Sequence, residues 1–156
     1  MPRITAAVAP PRRPARRRFV VEKLAELGTD ELVWLDTTHG GSIEALDRKA
    51  RAWSVGALEQ SRGAWLMEIG GPVTFGQVAT KGALLVADRD APPPGTIPGG
   101  PIVVAIGPEG GFVAGEANVP GATFVGFGSR TLRVETAAVT AVSVVMYLTG
   151  RLGAGD

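Results

Sequence analysis

The sequence predicts an α/β fold built on a parallel sheet flanked by helices, because short apolar runs alternate with longer segments of helical periodicity. The chain has 156 residues, a normal length for a single domain with one core. Its 22 glycines and 12 prolines cluster at the ends of these segments, where they favour short connections over disorder. We therefore treat residues 1–156 as one domain.

Six short apolar or β-branched runs predict the strands of the sheet. They cover residues 4–9, 31–36, 65–69, 83–87, 101–106 and 122–127. Gly70-Gly71-Pro72 follows the third run, and we expect this tripeptide to end that strand. Residues 90–100 are rich in proline and glycine, which predicts a loop that could close over a ligand.

The first helix is predicted from Pro14 to Leu27, with Gly28 immediately beyond its end. Proline is favoured in the first turn of a helix and glycine just after the last turn, so both boundaries have a physical basis. Phe19, Leu24 and Leu27 fall roughly on one side and form the predicted apolar face of this helix.

Three further helical segments follow. Ser42 can cap the second helix, because its hydroxyl can accept a hydrogen bond from a free amide of the first turn. The predicted buried stripe of that helix consists of Ile43, Leu46, Ala50, Trp53, Ala57 and Leu58. Residues 74–79 predict one or two helical turns, and the last helix is predicted over residues 135–152. Residues 136–148 are apolar on nearly every side, which is typical of a helix that is buried all round.

The composition narrows the class of protein. Cysteine is absent, so the chain has neither a disulfide framework nor a thiolate metal site, which is compatible with a reducing cytoplasm. No apolar run reaches the roughly 18 residues of a membrane-spanning helix, and no signal-peptide core follows the N-terminal arginines. His39 is the only histidine and lies outside every motif, so we assign it no role and predict no metal site.

Positive charge is concentrated at the N-terminus. The formal net charge is +1, yet residues 1–21 contain six arginines and no acidic side chain. Such a block of like charge is either a solvated terminus or a contact surface for a polyanion. We define residues 1–18 as the basic N-terminal segment.

Two glycine-rich segments follow predicted strands. The first is residues 107–112 (GPEGGF), after the run 101–106, and the second is residues 128–137 (GSRTLRVETA), after the run 122–127. Ligands of open α/β sheets bind at the carboxyl ends of strands, so both segments are predicted to line one pocket. Pro108 fixes φ, whereas the glycines permit positive φ and close approach of the backbone to a ligand. The G-x-G-x-x-G and P-loop patterns do not occur, which disfavours dinucleotide and P-loop nucleotide sites.

Together these segments closely resemble the SPOUT methyltransferases that modify uracil N3 in 16S rRNA, the RsmE type. GPEGGF, Glu116 a few residues later and G-x-R-x-L-R-x-E-T-A match the pattern of that family, and residues 22–28 (EKLAELG) and 59–62 (EQSR) match weaker upstream motifs. The resemblance covers roughly residues 3–150. It implies a deep trefoil knot in the C-terminal part, residues 101–152, and S-adenosylmethionine as the methyl donor.

The resemblance implies that S-adenosylmethionine is bound in a bent conformation by three strand ends. Ile106 and Leu132 would supply apolar walls, the backbone near Leu132 would contact the adenine edge, and Gly110 would leave room for the methionine part. The implied cofactor-binding residues are Ala87, Ile106, Gly107, Pro108, Glu109, Gly110, Gly111, Val125, Phe127, Gly128, Thr131, Leu132 and Val134.

Methylation of uracil N3 requires loss of the N3 proton, after which negative charge spreads onto O2 and O4. Arg130 and Arg133 are the candidates to stabilise that charge, as preorganised donors do in other enzymes. Glu135 and Glu109 are the candidates to accept the proton, directly or through water. Two alternatives stay open. The role of Glu135 could be limited to stabilising the N-terminus of the last helix, and the role of Arg133 could be limited to pairing with a carboxylate.

The resemblance further implies a ribosomal RNA substrate, phosphate contacts from the N-terminal segment and a homodimer packed through the last helix. The arginines implied in RNA binding are Arg12, Arg13, Arg16 and Arg17. The family normally carries a small N-terminal β-barrel that helps to hold rRNA, and this sequence begins where the catalytic domain is expected. Two other interpretations stay open: a noncatalytic dimer that binds S-adenosylmethionine or RNA, and a SPOUT methyltransferase with a different RNA target.

Overall fold

The computed structural model describes residues 1–43 and 48–153, and it confirms the predicted parallel α/β sheet. Along the chain the elements are β1 (Ile4–Val8), α1 (Pro14–Glu26), β2 (Glu31–Leu35), α2 (Arg48–Ser61), β3 (Glu68–Val73), α3 (Phe75–Ala79), β4 (Ala83–Ala87), β5 (Ile102–Ile106), β6 (Thr123–Val125) and α4 (Val134–Leu148). The strand order is β3-β2-β1-β5-β4-β6, and every neighbouring pair is parallel. The carboxyl ends of all these strands therefore meet at one edge of the sheet.

Both faces of the sheet are covered, as parallel sheets require. Alternate strand residues point to opposite faces, so Val8 and Val104 join one core cluster, whereas Ala7 and Val103 join the other. Buried side chains of α1, α2 and α4 complete the first cluster. The second cluster is completed by α3 and by the loops that follow β5.

The C-terminal segment crosses the sheet after β6. Because β6 pairs only with β4 at the edge, the chain must return across the sheet before α4 packs against α1, β1 and β5. On the way, the Gly126 N–H donates a 2.8 Å hydrogen bond to the carbonyl oxygen of Pro92, in the loop between β4 and β5. This path is consistent with the trefoil knot, which stays a prediction.

The third strand was predicted wrongly. It begins at Glu68 and continues through Gly70-Gly71-Pro72 to Val73, whereas the sequence suggested that the tripeptide ends it. Proline is tolerated here because β3 lies at the edge of the sheet and pairs with β2 alone, with a register irregularity beside it. Gly71 adopts a φ of +100°, and a Cβ at this position would meet the backbone nitrogen of Trp34 at 2.8 Å.

Two helices also differ from the sequence prediction. The second helix is described from Arg48; Ser42 and Ile43 precede it without helical backbone, and Leu46 lies outside the described residues. In α1 the buried face consists of Val20, Val21, Leu24 and Ala25, whereas Phe19 is 42% exposed.

The last helix is not buried all round within one chain. It is described over Val134–Leu148, and its inner side is fully covered by the sheet and α1. On the other side Tyr147 is 71% exposed and Leu148 is 44% exposed. An apolar helix of this kind leaves hydrophobic surface that a single chain does not cover.

Candidate active site

A cavity of about 470 Å³ lies at the carboxyl ends of β4, β5 and β6. Both glycine-rich segments contribute to its wall, as the sequence predicts. The lining residues are Ala87, Asp88, Arg89, Asp90, Ile106, Gly107, Pro108, Glu109, Gly111, Phe112, Val113, Gly115, Ala117, Asn118, Phe124, Phe127, Gly128, Arg130, Thr131, Leu132 and Ala137. The two segments therefore converge on a single site.

Most of the residues predicted to bind the cofactor lie on this lining. They are Ala87, Ile106, Gly107, Pro108, Glu109, Gly111, Phe127, Gly128, Thr131 and Leu132. Gly110, Val125 and Val134 do not line the cavity. Val125 and Val134 are 4% and 5% exposed and belong to the hydrophobic core. Gly110 instead faces His39, because a Cβ on Gly110 would lie 3.3 Å from the Nδ1 atom of that ring.

Glycine is required at position 107 by a ring that packs against it. A Cβ built on Gly107 would lie 2.9 Å from Cζ of Phe112, which is closer than real side chains approach. The Phe112 ring is itself held edge-on against Phe75, with centroids 5.1 Å apart. The Phe112 ring therefore packs against both Gly107 and Phe75, and these contacts help to fix the loop that lines the cavity.

Glu116 anchors the same loop from behind. Its two carboxylate oxygens accept hydrogen bonds from the backbone N–H of Thr38 at 2.6 Å and of Val113 at 3.0 Å. Nδ1 of His39 lies 3.3 Å from the carbonyl oxygen of Gly111. The loop after β2 and the glycine-rich loop after β5 are thus joined through one carboxylate. The sequence indicated Glu116 only as part of a family motif, and it gave His39 no role.

The Glu116 carboxylate makes the stability of the protein depend on pH in the acidic range. Burial raises its pKa, but the hydrogen bonds from Thr38 and Val113 outweigh burial and hold the pKa below the ordinary value of 4.5. A carboxyl group whose pKa is lowered by folding stabilises the fold above its unfolded pKa, and that contribution disappears as the pH falls through the folded pKa.

We expect Glu116→Gln to lower the free energy of unfolding by about 1–3 kcal/mol at pH 7, because one backbone N–H loses its acceptor. The difference from wild type should shrink below pH 4.5, as the wild-type carboxylate takes up its proton. Urea unfolding at pH 7 and at pH 3 measures both values. Glu59→Gln, at an exposed position on α2, is the control. An equal loss at both pH values would contradict the role of the ionised carboxylate.

The three predicted catalytic residues occupy different positions. Arg130 is exposed and lies on the cavity lining. Arg133 is exposed at the N-cap of α4 and does not line the cavity. Glu135 lies in the first turn of α4 with a side chain that is 13% exposed, and its Oε1 is 3.6 Å from Nε of Arg16. The structure therefore places Arg130 at the cavity and Arg133 away from its lining, although the sequence suggested the same role for both.

Charged residues after β4 add a second polar wall. The resemblance implied the segment around Ala87 and Asp88 as part of the lining, but the sequence did not single out Arg89 or Asp90. Arg89 donates a 3.1 Å hydrogen bond to the hydroxyl of Thr131, which also lines the cavity, and pairs with Asp90 at 3.1 Å. Asp88 accepts a 2.9 Å hydrogen bond from the backbone N–H of Asp90. Only the position of these residues after a strand end could have indicated them in advance.

The N-terminal arginines do not form one uniform surface. Arg12 and Arg13 are exposed, as a phosphate contact requires. Arg17 donates to the carbonyl oxygens of Pro11 and Arg12 at 3.0 Å each. The Arg16 guanidinium is engaged with Glu109 and Glu135, so its donors face carboxylates of this chain. Of the four arginines, Arg12 and Arg13 are the two with exposed side chains.

A family model described as an RNA methyltransferase domain matches residues 1–146. The chain belongs to this RNA methyltransferase family. Among curated proteins, none is significantly similar in sequence.

Within residues 1–43 and 48–153, no helix is long and apolar enough to cross a membrane. Over the same ranges no cluster of three or more His, Cys, Asp or Glu side chains is arranged to hold a metal ion.

The solved structures that are similar to this member of the RNA methyltransferase family include the following three. A probable rRNA methyltransferase from Porphyromonas gingivalis is 27% identical with a TM-score of 0.86, over 96% of this chain and 69% of that one. A candidate methyltransferase from Legionella pneumophila, in complex with S-adenosylmethionine, is 28% identical with a TM-score of 0.74, over 94% and 66%. Ribosomal RNA small subunit methyltransferase E from Neisseria gonorrhoeae, bound to S-adenosylmethionine, is 25% identical with a TM-score of 0.74, over 94% and 67%. The chain thus spans about two thirds of these structures.

Proposed function

We propose that this protein is an S-adenosylmethionine-dependent methyltransferase that acts on ribosomal RNA, at N3 of a uridine in 16S rRNA. The observation that carries the proposal is the convergence of residues 107–112 and 128–132 on one cavity at the carboxyl ends of adjacent strands. A family member with those motifs on opposite sides of the sheet would have no such site. With ribosomal RNA as substrate, we place the enzyme in the cytoplasm.

The cavity fits S-adenosylmethionine in size and chemistry. Its volume of about 470 Å³ lies within the roughly 300–1,000 Å³ that is typical of small-molecule sites. Ile106 and Leu132 offer apolar walls for an adenine ring, while Asp88 and Glu109 offer carboxylates for hydroxyl and amino groups. Gly128 has a φ of +133° and open space where a Cβ would point, so a ligand can approach its backbone closely.

When bound, S-adenosylmethionine supplies an electrophilic methyl group on a positively charged sulfur. The residues of this chain then have two tasks, namely to hold the uracil in line and to manage its proton. Arg130, exposed on the lining, stabilises the negative charge on O2 or O4 of the uracil. Glu135 and Glu109 are our two candidates to accept the N3 proton, directly or through water. Glu109 lies on the lining, whereas Glu135 does not. Arg133 is exposed at the N-cap of α4, off the lining, and would add positive charge near the site without contacting the bound uracil.

A homodimer and an RNA contact complete the proposal. Tyr147 and Leu148 form an exposed apolar surface at the end of α4, and a second copy of the chain packed on α4 would remove it from water. Arg12 and Arg13 are exposed in the basic N-terminal segment and provide the phosphate contacts.

Three measurements test the function. Isothermal titration calorimetry with S-adenosylmethionine should show one site per chain, and radiolabelled methyl groups should enter 16S rRNA or small ribosomal subunits. Nucleoside analysis of the product should identify 3-methyluridine. Binding without methyl transfer would favour the noncatalytic dimer, transfer to another RNA or atom would favour a SPOUT enzyme with a different target, and absence of binding would refute the proposal.

A further inference from the structure

Arg16 connects three parts of the fold that lie far apart in sequence. It belongs to α1, and its guanidinium donates a 2.6 Å hydrogen bond to Oε1 of Glu109, 93 residues away, on the loop that lines the cavity. The same guanidinium is 3.6 Å from Oε1 of Glu135, in the first turn of α4. The Arg16 guanidinium therefore pairs with the carboxylates of Glu109 and Glu135, the two residues that the sequence suggests as proton acceptors.

This cluster is shielded from water more than an ordinary surface ion pair. The side chains of Arg16 and Glu135 are 23% and 13% exposed, and only that of Glu109 is largely open, at 54%. Shielded charges are screened less by water and salt, so removal of one partner has a larger effect. Oε2 of Glu135 is also buried without a hydrogen-bond partner in the described part of the chain, so Glu135 depends on Arg16 for charge compensation.

The geometry of Arg16 conflicts with a role in phosphate binding. Its Nη1 and Nε atoms are directed at two carboxylates of the same chain, and a phosphate would have to displace them. Arg12 and Arg13 in the same segment have exposed side chains. The basic segment is thus divided between arginines open to a polyanion and one arginine turned towards the site.

We propose that Arg16 is a positioning residue: by holding Glu109 and Glu135 at once, it fixes the cofactor loop, residues 107–113, against α4 in the conformation that shapes the cavity. The loop carries Glu109 at its exposed tip, and Phe112 and Glu116 hold its other end. Arg16 supplies a further attachment, on the side of α1. The inference rests on the proposed function only for the choice of ligand in the binding assay.

Arg16→Met, which keeps the length of the side chain and removes its charge, tests the inference. We expect the dissociation constant for S-adenosylmethionine to rise about tenfold, because part of the binding free energy is then used to order the loop. RNA affinity and its salt dependence should stay unchanged. Arg16→Lys should recover part of the loss, since an ammonium can keep one of the two carboxylates. Arg18→Met is the matched control, because Arg18 lies on the same helix and pairs with Glu22 instead.

Arg12→Glu combined with Arg13→Glu should behave in the opposite way. This variant should weaken RNA binding and flatten its salt dependence, while the affinity for S-adenosylmethionine stays unchanged. If Arg16→Met gave that pattern instead, Arg16 would be a phosphate contact and the positioning role would be refuted.

A measurement without any ligand separates this inference from the proposed function. Hydrogen exchange of the backbone amides in residues 107–113 should become faster in Arg16→Met and stay at the wild-type rate in Arg18→Met, because a loop that has lost an attachment opens more often. Unchanged exchange would overturn the positioning role. If the wild-type protein does not bind S-adenosylmethionine, the proposed function fails, and the exchange rates still decide the role of Arg16.

Discussion

Arg130→Ala is expected to lower kcat of methyl transfer by about 100- to 1,000-fold, the usual effect of removing one preorganised donor from a developing negative charge. Arg130 is exposed on the cavity lining, where it can reach O2 or O4 of a uracil that enters the site. It is not needed to hold the apolar walls around the methyl donor. The dissociation constant for S-adenosylmethionine should therefore change by no more than about threefold. Single-turnover methyl transfer and calorimetry measure the two quantities.

Two further variants make this test specific. Arg133→Ala removes the same charge from the N-cap of α4, away from the lining, and should weaken transfer by less than about tenfold with the fold retained. Arg130→Lys keeps the charge without the planar pair of donors, so it should recover only part of the activity. If kcat fell more in Arg133→Ala than in Arg130→Ala, Arg133 would be the residue that stabilises the negative charge on the uracil. Wild-type turnover in Arg130→Ala would show that Arg130 does not have this role.

The sequence predicted those features of the fold that depend on local patterns. Apolar runs placed β1, β2, β4 and β5 to within a residue or so at each end, because strands buried on both faces read as continuous apolar stretches. Pro14 and Gly28 marked the ends of α1, and Gly28 does adopt a φ of +79°. Both glycine-rich segments could be placed at strand ends for the same reason, which is why their convergence was predictable.

The errors arise where tertiary contacts override local signals. Gly70-Gly71-Pro72 would end most strands, yet at the edge of the sheet the proline needs no partner for its missing N–H. Phe19 fits an apolar helical face by spacing alone, but the core contacts the neighbouring Val20 and Val21 instead. A period of 3.6 residues defines a stripe only to within about one residue, so it could not decide between these faces.

Contacts between distant loops escaped prediction altogether. Nothing local to Glu116 indicates that its carboxylate binds the backbone of Thr38, 78 residues away. Likewise, a run of arginines in α1 gives no sign that Arg16 alone turns towards Glu109. Charge patterns in a sequence report the sign of a surface, whereas the partner of each side chain is determined by the packing of the whole sheet.

Gly126→Ala is expected to destabilise the protein by about 3 kcal/mol or more, because a side chain there has no space and the obstacle is backbone. A Cβ on Gly126 would overlap the carbonyl oxygen of Ala91 and lie 3.2 Å from its carbonyl carbon. The N–H of Gly126 also donates to Pro92 at 2.8 Å, so the two segments cannot separate without loss of that hydrogen bond. Urea unfolding of the variant and of wild type measures the difference.

Gly99→Ala is the control, because Gly99 lies in the loop between β4 and β5, which also contains the residues that contact Gly126. A Cβ on Gly99 has no heavy atom within 4 Å, and its φ lies outside the region that favours glycine. This substitution should leave stability unchanged or raise it by about 0.4–1 kcal/mol, through a less flexible unfolded chain. Near-wild-type stability in Gly126→Ala would show that the loop between β4 and β5 can move away from the segment after β6. A loop that moved away so easily could not hold that segment in place, and the close contact on which the predicted knot depends would be lost.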